Sequence, residues 1–235
     1  MLAVALMMAT LALAADAVDV GRFSTLAPGT AIGDGWRPLT FPRVERHTQY
    51  ALARDDGTVV VRADADASAS GLIRPLDVDL ADTPRLEWRW KIADVVTEGD
   101  PYRKAGDDYA ARIYVAFRYD PARVSFFNRV KYELLRIVYG EYPPHAGIAY
   151  VWDARVPAGT VIVNAYTERV RMVVVRSGGA DAGRWVAESR NVLEDYRRAF
   201  GEEPPRVSGV ALMTDTDDTA SRATAWYGDI RFVKR

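Results

Sequence analysis

Oily and charged side chains alternate with a period of two along much of this chain, and that rhythm leaves few architectures open to it. It is clearest from Leu86 to Ile92, where Leu86, Trp88, Trp90 and Ile92 fall on one side and Glu87, Arg89 and Lys91 on the other. A helix would scatter these residues around its whole circumference, so the segment reads as a half-buried strand. Val59 to Ala63, Tyr109 to Phe117, Val161 to Tyr166, Val170 to Val175, Val207 to Met213 and Ala223 to Phe232 are apolar-rich segments of similar kind, bounded by Gly, Pro, Asp or Thr. In the second of these, Ile113, Val115 and Phe117 face away from Arg112 and Tyr114. Asp64 to Ser70 reads as a loop. The expected fold is all-β, an antiparallel jelly-roll-like sandwich of two sheets.

Two segments break the rhythm. From Val124 to Tyr139 the apolar residues Phe126, Phe127, Val130, Leu134, Ile137 and Val138 recur at helical spacing and stop at Gly140. From Asn191 to Phe200 a second stripe of Val192, Tyr196, Ala199 and Phe200 ends at Gly201 and Pro204. Both are expected to be short helical insertions between strands. No repeat or interdomain linker divides the chain, so residues 16–235 are expected to form a single sandwich domain.

The start of the chain is different in kind. Met1 to Ala14 is an unbroken apolar and small-residue run that stops at Asp16, too short to span a bilayer, which takes about 20 residues. It fits the apolar region of a secretory signal over residues 1–15, with small residues at Ala12 and Ala14 before the cut. No lysine or arginine precedes it, as if the true start codon lay upstream. A periplasmic or secreted address follows, with no transmembrane span once the signal is removed. Cysteine is absent, which excludes disulfides, thiolate catalysis and cysteine metal sites. A formal net charge of -1 with no long block of one sign argues against nucleic acid as the main partner. Arginine outnumbers lysine 27 to 4, which suits planar recognition of carboxylate or phosphate and also matches a GC-rich coding bias.

Several unusual words occur in order: Ala69-Ser70-Gly71-Leu72, Pro84 to Lys91, Asp107-Asp108-Tyr109-Ala110-Ala111-Arg112, Tyr150-Val151-Trp152, Arg190-Asn191-Val192 to Phe200-Gly201, and Asp215-Thr216-Asp217-Asp218-Thr219. In these the chain resembles a bacterial family known as domain of unknown function 3047. The resemblance implies an exported or envelope-associated protein and brings no activity, so it transfers no catalytic residue. Trp226 to Phe232 also resembles the last strand of galactose-binding-like carbohydrate modules, on that one strand alone.

The familiar catalytic signatures are missing: no Gly-x-Ser-x-Gly, His-Glu-x-x-His, Gly-x-x-x-x-Gly-Lys or Gly-x-Gly-x-x-Gly occurs. Only His47 and His145 are present, too few for a multi-histidine metal centre, and a solvent-exposed structural role suits both. Five residues are candidates for ligand binding: Arg89, Asp107, Asp108, Arg112 and Trp152. If the strands carrying Arg89 and Arg112 pair, arginines and carboxylates converge on one sheet face able to hold an anionic or hydroxyl-rich ligand. The alternative is a structural network of ion pairs and caps.

Asp215, Asp217 and Asp218 cluster as hard-cation ligands would, yet Ala220 and Trp226 stand where an EF-hand needs Gly and Glu. They read as a polar turn first and a structural calcium site second; no other cofactor is expected. Trp88 and Trp90 belong to the core, while Trp36, Trp152 and Trp185 lie beside Gly or Asp; each reads first as a buried anchor and second as a partly exposed ring able to stack on sugars. The expected function is a non-catalytic module binding carbohydrate or another envelope component. Two alternatives stand beside it: a polysaccharide hydrolase or lyase using paired carboxylates such as Asp107, Asp108 and Asp217, and an envelope interaction protein docking peripherally on a membrane or partner through the 124–139 helix.

Overall fold

The structure is a computed structural model that describes residues 17–33, 35–120 and 144–234. The expected signal over 1–15 and the expected helix over 124–139, with the membrane contact assigned to it, lie outside the described residues. Thirteen strands are described: β1 (Ala17–Gly21), β2 (Arg37–Leu39), β3 (Gln49–Asp55), β4 (Thr58–Asp66), β5 (Ala69–Val78), β6 (Arg85–Ile92), β7 (Arg112–Phe117), β8 (Ala146–Asp153), β9 (Val161–Val163), β10 (Val170–Ser177), β11 (Val186–Asn191), β12 (Val207–Asp215) and β13 (Arg222–Val233). They form two sheets. One has the order β11-β6-β13-β4-β3, with β1 also paired to β13, and the other has the order β2-β5-β12-β7-β8-β10-β9. The fold is thus the expected two-sheet, jelly-roll-like sandwich, with one departure from an antiparallel plan: β8 and β10 run parallel.

Alternation explains how the sheets meet. Leu86, Trp88, Trp90 and Ile92 of β6 are buried and face Ile113, Val115 and Phe117 of β7 and Ile148, Tyr150 and Trp152 of β8 in one continuous core. Trp88 packs edge-on to Trp90 at 5.5 Å between centroids, Trp88 lies 5.2 Å from Tyr150, and Trp90 lies 5.9 Å from Trp152. These aromatics fix the sheet spacing through shape as well as buried area.

Helix α1 (Val192–Phe200) closes one end of the sandwich where expected. The Asn191 side chain caps it by accepting from the Glu194 N–H at 3.2 Å, and Gly201, at φ 73°, ends it in the left-handed conformation. Its apolar stripe buries Val192 and Tyr196, the latter 4.5 Å from Phe117. On the inner turn Asp195 accepts from the Tyr150 hydroxyl at 2.9 Å and from both Arg190 Nε and Nη2.

Three sequence expectations change. Asp64 to Ser70 is mostly strand, because β4 runs to Asp66 and β5 starts at Ala69, leaving only Ala67 and Ser68 to turn, with Ala67 at φ 44°. The Tyr109 segment becomes a strand only at Arg112, since Tyr109 and the buried Asp107 and Asp108 serve side-chain contacts ahead of the ladder. His145 is half-buried, its Nε2 3.7 Å from a Glu202 oxygen, whereas His47 is exposed as expected.

Close backbone approach makes Gly71 a sensitive position: a Cβ there would lie 2.8 Å from the Leu212 carbonyl oxygen of the neighbouring strand. Gly71→Ala is expected to cost about 1–3 kcal/mol in urea unfolding. Loss of the helix cap in Asn191→Ala is expected to cost about 1 kcal/mol in the same measurement.

Candidate functional site

At the end of the sandwich opposite α1, β7 begins and β12 finishes side by side, with Arg112 opposite Met213 in the ladder. Arg112 is 2% exposed, an unusual position for a guanidinium and one that demands partners. It has them. Nε donates to Asp215 Oδ1 at 2.8 Å, Nη2 pairs with Asp215 Oδ2 and donates to the Asp107 carbonyl oxygen at 2.6 Å, and Nη1 donates to Asp107 Oδ1 at 3.3 Å. The other Asp107 oxygen accepts from Asn164 Nδ2 at 2.9 Å. The guanidinium also lies 4.8 Å from the Tyr109 ring centroid and 5.9 Å from that of Tyr114.

Asp108 turns the other way. Its Oδ2 accepts from both the Thr219 N–H and the Thr219 hydroxyl at 2.6 Å, and its Oδ1 accepts from the Asp218 N–H at 3.4 Å. Thr219 shares a hydroxyl contact of 2.7 Å with Ser221, and Ser221 Oγ donates to Glu98 Oε2 at 3.5 Å. The Arg112 cluster therefore anchors one residue of the Asp107-Asp108 word while its neighbour holds the β12–β13 loop. That loop and the segment after β6 enclose an open cleft of about 550 Å³, with Asp94, Thr97, Glu98, Thr219, Ser221 and Arg222 in its lining. The hydroxyl of Thr97 holds the exposed Glu98 carboxyl below its usual 4.5, so it stays an ionised acceptor at neutral pH.

The five candidate ligand residues do not converge. Arg89 stands on the outer face of the six-stranded sheet, whereas Arg112 opens β7 of the seven-stranded one with Asp107 and Asp108 in the segment before it, because β6 pairs with β11 and β13 and not with β7. Arg112 is paired in burial with Asp215 and Asp107, and Trp152 is 2% exposed, its Nε1–H donating to the Gly178 carbonyl at 3.0 Å. Trp152 is therefore a core residue and not a stacking surface. Of the three metal candidates, Asp215 and Asp217 come together with Asp108, one oxygen of each within 4.8 Å of the others. Asp218 departs and accepts from the Tyr166 hydroxyl at 2.8 and 2.9 Å. Both Asp215 oxygens face Arg112, so a calcium ion would compete with a guanidinium already in place. Sequence reasoning missed the cleft residues Thr97, Glu98 and Ser221; their signal was only a polar loop, and nothing local announced that the two loops would meet.

A family model described as "Protein of unknown function (DUF3047)" matches residues 34–231. The chain belongs to the DUF3047 family. None of the curated proteins matches this DUF3047 chain. Solved structures similar to it include the carbohydrate recognition domain of Emp47p, at 9% identity over 92% of this chain and 94% of that one, with a TM-score of 0.44. Endoglucanase 3 of Trichoderma harzianum, from family GH12, is similar at 9% identity over 86% and 92%, with a TM-score of 0.39. A loop-swap mutant of Xyn11A from Necallimastix patriciarum is similar at 10% identity over 93% and 97%, with a TM-score of 0.35. Among the described residues of the DUF3047 chain, no helix is long and apolar enough to cross a membrane.

Arg112→Met is expected to lower stability by about 3–5 kcal/mol in chemical unfolding, since it leaves two buried carboxylates without their cation. Asp217 behaves in the opposite sense. Burial and then the nearby Asp108 charge raise its carboxyl above 3.8, so the folded state binds its proton more tightly than the unfolded chain. Its ionisation thus costs stability as pH rises from 3.8 through the raised value. Asp217→Asn is expected to lift the melting temperature at pH 7 by about 1–3 °C and to remove that part of the pH dependence in a melting series from pH 3 upward.

Proposed function

We propose that the protein is an exported, non-catalytic module that binds a saccharide of the bacterial cell envelope in the cleft beside Glu98 and Ser221. The observation that carries this reading is the cleft lining, which brings the hydroxyl residues Thr97, Thr219 and Ser221 together with the acids Asp94 and Glu98. Fixed hydroxyl oxygens and ionised carboxylates of this kind can accept from vicinal sugar hydroxyls at little entropic cost, because Thr219 and Ser221 are already held through Asp108. The apolar run at the start of the chain supports export to the periplasm or beyond.

Binding is favoured over hydrolysis by the state of the carboxylates. Asp108, one of the three carboxylates the sequence offers as an acid or base, has both oxygens engaged by Thr219 and the Asp218 N–H. Glu98 reaches the cleft, but its lowered pKa makes it a poor proton donor at neutral pH.

Calorimetry of the purified protein against a panel of neutral saccharides and cell-wall fragments tests the proposal. At least one is expected to bind, with Ser221→Ala and Glu98→Gln each weakening it about tenfold. Affinity is expected to hold as pH falls until below 4.5, where Glu98 takes up its proton. A panel that gives no heat, or binding indifferent to both substitutions, overturns the assignment to this cleft.

A further inference from the structure

The outer face of the six-stranded sheet carries a second arrangement that the cleft does not use. Along β6 the outward residues are Arg85, Glu87, Arg89 and Lys91. Two of these are engaged by acids or bases: Glu87 accepts from Arg231 Nε and Nη2 at 3.0 and 2.8 Å, and Lys91 pairs with Asp55. The other two are cations with no carboxylate within ion-pair distance among the described residues. Arg85 donates only to the Ser189 hydroxyl, at 3.3 and 3.0 Å.

Arg89 is held by packing. Its guanidinium carbon sits 4.6 Å from the centroid of the Trp185 ring. On the other side it crosses the β13 strand at Gly228, where a Cβ would lie 2.5 Å from Arg89 Cγ and 2.6 Å from its Nε. An ordinary structural arginine is fixed by its hydrogen bonds, as Arg112 is. Arg89 is fixed by an indole and a glycine gap, so its planar donors keep their hydrogen-bonding capacity for something else.

Arg85 and Arg89 are four residues apart on one strand face, about 13 Å at strand rise. Between them the one acid is neutralised, and beside them the half-buried Trp226 lies 4.5 Å from Lys91 Nζ. Neither tryptophan stands proud of the sheet, since both rings are flanked by charged side chains that are themselves paired or stacked, which argues against insertion into a bilayer. A flat strip with two unneutralised guanidiniums and aromatic flanks matches an extended sugar chain carrying carboxylates, each able to take a bidentate arginine contact.

We propose that this strip is a second binding site, for a carboxylated polysaccharide lying along β6 across Arg85 and Arg89. It is independent of the cleft reading, because it shares no side chain with Glu98 or Ser221. The test measures retention of the intact protein on immobilised polygalacturonate, with the fully methyl-esterified polymer as the uncharged control and phosphatidylglycerol vesicles as a membrane control. The expected result is binding to the free-acid polymer that weakens with salt, is absent on the ester and on vesicles, and falls about tenfold or more in the Arg85→Gln, Arg89→Gln double variant with an unchanged near-ultraviolet circular dichroism spectrum. Arg89→Lys, which keeps charge but not the planar fork, is expected to recover only part of the loss. Gly228→Ala, which crowds Arg89 without altering charge, is expected to weaken binding as well.

Ser221→Ala is expected to leave this binding unchanged. If instead it abolishes retention, the acidic chain sits in the cleft, and the strip proposal fails while the cleft reading stands. Equal retention on both polymers, indifference to the double variant, or sedimentation with vesicles in place of polymer binding overturns the proposal.

Discussion

A single buried guanidinium organises one whole end of this molecule. Taking Arg112 out of water is costly, and only the two Asp215 oxygens, the Asp107 carboxylate and the Asp107 carbonyl together make the position tenable. Those groups come from the approach to β7 and the end of β12, so satisfying the charge also fixes where two loops leave the sheet. Directionality matters here as much as strength: a planar fork accepts its partners in one arrangement, and apolar packing would tolerate many. Asp108, next in the chain to a residue in this cluster, then carries the constraint outward to Thr219 and Ser221. The shape of the cleft is in this sense decided several ångströms beneath its surface.

The same economy of position governs β6. Its even-numbered residues build the aromatic core, Trp88 and Trp90 against Tyr150 and Trp152, while its odd-numbered residues make the outer face. Tryptophans play two different parts in consequence. Inside, they space the sheets; outside, Trp185 and Trp226 hold cations in place, with the Trp185 Nε1–H anchored on Asp55 at 2.6 Å. A strand buried on one side and firmly packed beneath gives any residue on its other side a rigid footing.

How much of this could be seen in the sequence depends on whether the signal was local. The period of two in Leu86–Ile92 and the capped stripe of Val192–Phe200 are written in adjacent residues, and both elements stand where the pattern put them. The Asp107-Asp108 and Asp215 words stood out as chemically unusual, and Asp108, Asp215 and Asp217 do meet. Pairing order was not legible. Arg89 and Arg112 look like neighbours on consecutive strands, yet β6 and β7 belong to different sheets, and nothing within either strand encodes that. Trp152 follows the first of its two readings: its flanking Asp153 leaves room for exposure, but that carboxylate turns back to cap the N–H groups of Arg155 and Val156, and the indole lies inside. The cleft was hidden altogether, because its walls come from residues more than a hundred positions apart.

Strand β13 lies between β6 and β4 and also receives β1 along its far half. Until its residues are available, the six-stranded sheet exists only as two unjoined ribbons, β11 with β6 and β4 with β3. Among the described residues it is β13 that joins them, so the core face of this sheet becomes continuous through pairings distant in sequence, the kind of contact that slows a folding search.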